Sequence, residues 1–165
     1  MIEHVNRFQI SSEGEIHRLN MKHCDKVNLI SNGTMQDCEM KLCHGITFTT
    51  INKLDSIKII DSVAIGSLEQ LNCVHQIVLK DCRTIRKVIG IENVKIVKIV
   101  NCAALNDISG LGKNEIVEIS SCKKLNNFDS ISNVPNVKIV DCGSVDNVEK
   151  TPQKKRKKRK FYHFN

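Results

Sequence analysis

Tryptophan is absent from the 165 residues, and tyrosine occurs once. With five phenylalanines as the only other large rings, the core must be tiled from Ile, Val and Leu. Proline occurs twice. No stretch approaches the roughly 18 consecutive apolar residues of a membrane-spanning helix. The opening MIEHVNRFQISSEGE has no basic region leading into an apolar one, so no secretory signal is read there. Glycine-rich phosphate loops are missing, and the glycines punctuate turns. At 41% apolar and 26% charged, the bulk of the chain is globular rather than disordered. Its length suits one domain.

Excess charge of one sign is also missing from the body. The net charge is +7, but Lys154, Lys155, Arg156, Lys157, Lys158, Arg159 and Lys160 supply seven positive charges. The remaining residues balance at 18 basic and 18 acidic. A nucleic-acid-binding domain is expected to spread its cations over a folded face. By this count the basicity belongs to a tail.

What the chain has instead is cysteine, eight of them, at a fixed period. Cys82, Cys102, Cys122 and Cys142 are 20 residues apart, with Ser62 one step earlier. Cys43 and Cys24 follow at steps of 19, and a further 19 reaches Val5. Such periods signal a solenoid. With the ladder position numbered zero, position −5 holds Leu19, Cys38, Ile57, Ile77, Val97, Val117 and Val137. Position −3 holds Met21, Met40, Ile59, Leu79, Ile99, Ile119 and Ile139. Position −8 holds Ile16, Met35, Leu54, Val74, Val94, Asn114 and Val134. Apolar columns recur at +3 and +6, where Ile30 is assigned to the +6 column, and at +9 from Leu71 onward.

Positions −5 and −3 differ by two, which predicts one short strand per coil. The spacing of three after the ladder predicts turns or 3₁₀ segments. Each coil has one apolar stripe and buries it only by stacking on its neighbours. The ladder residue sits at a corner, where a compact thiol serves backbone carbonyls of the neighbouring coil. Cys24, Cys43, Ser62, Cys82, Cys102, Cys122 and Cys142 are therefore structural.

The pattern L-x-x-L-x-L-x-x-C-x-x-L in Val94-Val97-Ile99-Cys102-Leu105 and Val134-Val137-Ile139-Cys142-Val145 resembles the leucine-rich repeat in its cysteine-containing form. The match covers about residues 16–148. The resemblance implies a leucine-rich-repeat solenoid, α/β by family but here mainly parallel β with short 3₁₀ or turn segments on the convex side, in about seven to eight coils of 19–20 residues. It also implies a curved protein-binding scaffold without catalysis. The rival is another parallel β-solenoid, which predicts a second two-residue alternation per coil, and only one is read. Residues 1–150 form the solenoid, with 1–15 a degenerate N-terminal capping coil, and 151–165 form a disordered basic tail.

Chemistry has little foothold. Cys38 and Cys43 are claimed by the core columns, so no metal is assigned, and no cofactor. Reduced thiols are expected, with Cys73, just before Val74, the one most open to reaction. None of the six histidines lies in a triad-like setting. Asp61 and Asp81 are read as solvated residues at strand ends. The chain is read as a non-enzyme.

Outward strand positions −6, −4 and −2 carry apolar residues that the core does not need: Ile60, Val78, Ile96, Val100, Ile116 and Val140. With Lys58, Lys98 and Lys138 at the rim they form a candidate protein-binding face. The segment PQKKRKK resembles a nuclear-import signal, which places the protein in the nucleus, with the cytoplasm as the alternative and secretion excluded. An import receptor is then a second partner. The alternative function is a nucleic-acid-associated adaptor whose tail contacts RNA or DNA. Thr151, followed by Pro152, resembles a cyclin-dependent kinase site. The strand at 137–142 is left with an open edge, which offers a route to oligomers.

Overall fold

The structure, a computed structural model, describes residues 1–143 and 145–150, without the side chains of residues 8, 11, 12 and 145–147. Thr151 and the cations from Lys154 to Lys160 lie outside the described residues. The chain winds as a β-solenoid of about seven turns. Its strands are β1 (Ile2–Glu3), β2 (Asn6–Ser12), β3 (Glu15–Lys22), β4 (Asp25–Lys41), β5 (Thr47–Ile60), β6 (Gln76–Lys80), β7 (Ile96–Val100), β8 (Ile116–Ser120), β9 (Asn136–Cys142) and β10 (Val145–Lys150). They line up as β1-β3-β4-β5-β6-β7-β8-β9-β10, with β2 beside β4. Pairing is parallel except between β9 and β10. No helix among the described residues is long and apolar enough to cross a membrane.

The predicted columns are the pairing register. Cys38 lies opposite Ile57, Ile57 opposite Ile77, and Ile77 opposite Val97, each one coil on. Columns −5 and −3 are buried throughout, from Leu19 and Met21 to Val137 and Ile139. This is the stacking argument realised: each coil's stripe is covered by the next, giving one continuous core.

The first coils differ from the later ones, and here the reading of a single alternation fails. β2, β4 and β5 also pair on the return side, with Phe8 opposite Val27, Leu29 opposite Phe48, and Ser12 opposite Ser31. Val27, Leu29 and Ser31 point inward in alternation, while Ile30 is half-buried. The assignment of Ile30 to the core column is thus wrong by one residue, because the return is a strand with period two. From Leu68 on, the return is compact. It contains 3₁₀ turns at Glu69–Leu71, Ser109–Leu111 and Asp129–Ile131. The period changes from 19 to 20 at the same place. A 3₁₀ turn advances about 2.0 Å per residue against about 3.3 Å for a strand, so it needs more chain to cross the same width.

Every corner is turned by a left-handed residue just before the ladder: His4, His23, Leu42, Asp61, Asp81, Asn101, Ser121 and Asp141 all have φ between 45° and 57°. Asp, Asn and His tolerate this region better than most side chains. Asp61 and Asp81 are therefore turn formers as well as solvated groups. In the early coils a second left-handed residue follows the ladder, at Arg7, Lys26, Gly45 and Ala64. Later corners close with a backbone bond to the ladder carbonyl, Leu105 to Cys102 at 3.1 Å and Leu125 to Cys122 at 3.0 Å.

After β9 the chain reverses. Gly143 has φ 49°, and a Cβ there would lie 2.0 Å from the Leu125 carbonyl oxygen, so only glycine fits. β10 then pairs antiparallel with β9, Val148 opposite Ile139 and Lys150 opposite Val137. The expectation that the β9 strand leaves an open parallel edge is corrected: β10 covers it.

Candidate functional site

The ladder comes first, because it positions the sheet. All seven ladder residues are buried. The thiols of Cys24, Cys43, Cys82, Cys122 and Cys142 donate to the carbonyl two residues earlier in their own coil, at 3.3–3.4 Å. Ser62 does the same at 2.8 Å. The expectation of a bond to the neighbouring coil is met only in part, by Cys24 to Ile2 at 3.6 Å, Cys82 to Ile59 at 3.5 Å and Cys102 to Leu79 at 3.9 Å. A left-handed residue between strand end and ladder turns the side chain back on its own strand, which explains the preference. Burial pushes the Cys38 thiol up to about 12, and raises Cys43 and Cys142 as well. Cys73 is exposed, its thiol 2.9 Å from the Ile51 carbonyl oxygen.

The outward face of the parallel sheet brings the predicted partner-binding residues together. One row runs Lys58, Val78, Lys98, Glu118, Lys138 across five coils. A flanking row runs Ile60, Lys80, Val100, Ser120, Val140, and the other places Ile96 opposite Ile116. Ile60, Val78, Ile96, Val100, Ile116 and Val140 are half-buried rather than open, because in-register neighbours about 4.8 Å away shield them.

The lysines are not equivalent. Lys58 pairs with Glu39 at 3.5 Å and Lys98 with Glu118 at 3.0 Å. Half-exposed pairs of this kind are worth about 0–1 kcal/mol each, yet they remove both lysines from the set of uncompensated charges. Lys138 is exposed. Between Val78, Val100 and Val140, over the Lys98–Glu118 pair, lies a shallow groove of about 190 Å³. A larger groove, about 610 Å³, runs along the opposite edge of the sheet over Met35, Leu54 and Val74, with Cys73 on its wall. Among the described residues no group of three or more His, Cys, Asp and Glu is arranged to hold a metal.

No family model matches the chain, and neither a curated protein nor a solved structure is similar to it. The solenoid and its surfaces therefore carry the functional reading by themselves.

Proposed function

We propose that this protein is a non-enzymatic scaffold of the leucine-rich-repeat kind, which holds a protein partner on the outward face of its parallel sheet. The observation that carries the reading is the apolar patch of Val78, Ile96, Val100 and Ile116 set around the Lys98–Glu118 pair. Apolar side chains around a satisfied ion pair present a surface that loses little on desolvation, with orientation supplied by Lys138 at the rim. The coils from Cys82 to Cys142 suit a repeat of this kind, with one strand and a short return per coil.

The polybasic tail supports a nuclear setting through an import receptor. A fluorescent fusion of the full chain is expected to concentrate in the nucleus, and to lose that bias when Lys154, Lys155 and Arg156 are replaced by glutamine.

The binding test uses the full chain and a partner identified by affinity capture, then purified. Ile96→Asp with Ile116→Asp is expected to weaken the reconstituted complex at least about tenfold, or 1.4 kcal/mol, with an unchanged circular-dichroism melt. Undiminished binding by the double variant would refute the outward face of the parallel sheet as the site.

A further inference from the structure

Several exposed charges on this solenoid are answered by the neighbouring coil. Arg18 meets Asp37 at 3.6 Å, Glu39 meets Lys58 at 3.5 Å, Lys87 meets Asp107 at 3.7 Å, Lys95 meets Glu115 at 3.4 Å, and Lys98 meets Glu118 at 3.0 Å. Opposite charges in register stabilise a sheet and like charges destabilise it.

One corner stacks cation on cation instead. Around the ladder corner of the first three coils, like stacks on like. Lys22 lies directly opposite Lys41. Arg7 and Lys26 occupy equivalent places one coil apart, between the pairs Asn6–Asp25 and Phe8–Val27. His4 and His23 stack with ring centroids 5.0 Å apart and planes 4° from parallel. Among the described residues none of the four cations has a carboxylate within ion-pair distance.

The two nearby acids do not neutralise the cluster. Asp25 is engaged by His44 Nδ1 at 2.9 Å and by the Lys26 backbone N–H at 3.1 Å. Glu3 is in register with Lys22 but makes no ion pair with it. Arg7, Lys26, His4 and His23 are also held in the left-handed region, with φ between 51° and 58°. That region is a costly one for a side chain with a Cβ. One coil beyond Lys41 the equivalent corner is Ile60, Asp61, Val63 and Ala64, and the cluster ends. The whole-body charge balance hides it, because the column is basic at one end of the solenoid and acidic or neutral beyond.

Two rows of cations flank a row of stacked imidazoles over about 10 Å, at the roughly 4.8 Å spacing of the coils. A single phosphate cannot satisfy both rows, but a phosphate polymer can. Aromatic rings between cations are the arrangement on which unpaired bases stack while the backbone is neutralised. We propose that this corner binds single-stranded nucleic acid, with Arg7, Lys22, Lys26 and Lys41 on the phosphates and His4 and His23 against a base. The site is independent of the patch around Lys98 and Glu118 and of the tail.

The experiment removes the tail's contribution without shortening the chain. The full-length protein carries Lys154→Gln and the same change at Lys155, Arg156, Lys157, Lys158, Arg159 and Lys160. It is titrated into fluorescein-labelled U₂₀ RNA, with anisotropy read at several salt concentrations. Saturable binding is expected. Adding Arg7→Gln, Lys22→Gln, Lys26→Gln and Lys41→Gln is expected to weaken it at least about tenfold and to shallow the log–log salt slope by about 0.7 per cation removed. His4→Ala with His23→Ala is expected to weaken binding several-fold with the slope unchanged. The melt of the quadruple variant is expected to hold or rise, since repulsion is relieved. If that variant unfolds, Lys41→Gln alone supplies the slope test. Absence of saturable U₂₀ binding, or equal affinity and slope in the corner variants, overturns the proposal. So does capture by phosphatidylserine vesicles in the absence of U₂₀ binding.

Discussion

The Ser62 hydroxyl accepts a hydrogen bond from the Cys43 backbone N–H at 3.0 Å and donates one to the Ile60 carbonyl at 2.8 Å. Ser62 is fully buried, and it stands where the solenoid passes from 19-residue to 20-residue coils. At this junction the ladder needs both a donor and a good acceptor. Oxygen supplies the acceptor better than sulfur does.

Replacing Ser62 by alanine is therefore expected to strand the buried Cys43 N–H, while the Ile60 carbonyl keeps the Leu42 N–H at 3.0 Å. The cost is about 1–3 kcal/mol, read as a drop in the urea midpoint with unchanged slope. Ser62→Cys is expected to recover part of it, because the other corners use a thiol.

The thiols separate into two classes. Cys73 is exposed and the other seven are buried. A native titration with Ellman's reagent at pH 8 is expected to show one fast thiol, and eight after denaturation. Burial raises Cys38 from 9.0 to about 12. An acid whose folded pKa is raised stabilises the fold fully below the unfolded value and loses that contribution as pH climbs toward the folded one. Melting temperature is thus expected to fall between about pH 9 and pH 12, and to fall less in Cys38→Val.

Leu42 occupies the left-handed corner position at φ 54°, where the other coils place His, Asp, Asn or Ser. A left-handed conformation costs an ordinary side chain roughly 1–2 kcal/mol, and asparagine less. Leu42→Asn is expected to raise the urea midpoint.

Acid stability has a specific contributor. The Ser109 backbone N–H donates to Asp107 Oδ1 at 3.0 Å, and this bond first, then the Ser109 side chain and Lys87, holds the carboxyl below its usual range. A depressed carboxylate stabilises the fold above its unfolded pKa, about 3.9, and loses that contribution as pH falls through the folded value. The wild-type melt is expected to drop on acidification below about pH 4, with a shallower acid limb in Asp107→Asn.

Much of the architecture was legible because stacking forces equivalent residues into equivalent surroundings. Cys102, Ile99 and Val97 repeat at Cys122, Ile119 and Val117 since each coil is the floor of the next. The second strand of the early coils was less legible. Ile30 and Leu29 are adjacent and both apolar, so column counting placed the wrong one inside. The shortened period of 19 was the available signal. On the candidate surface, the sequence placed Lys58 and Lys98 at a rim, while the cross-coil carboxylates that occupy them emerge only when Glu39 and Glu118 come into register. The basic corner went unread because Arg7, Lys22, Lys26 and Lys41 are spread over 35 residues of a chain whose body is neutral in sum.

By itself, then, the amino-acid order determined the winding, its pitch in residues, the inward columns and the buried ladder. These follow from local periodicity and from the need of every apolar stripe for a neighbour. The tertiary structure alone decided which carbonyl each thiol serves, how β10 closes the end, and which surface charges meet a partner. Those outcomes depend on left-handed corners and on distances between coils, and no linear spacing encodes them.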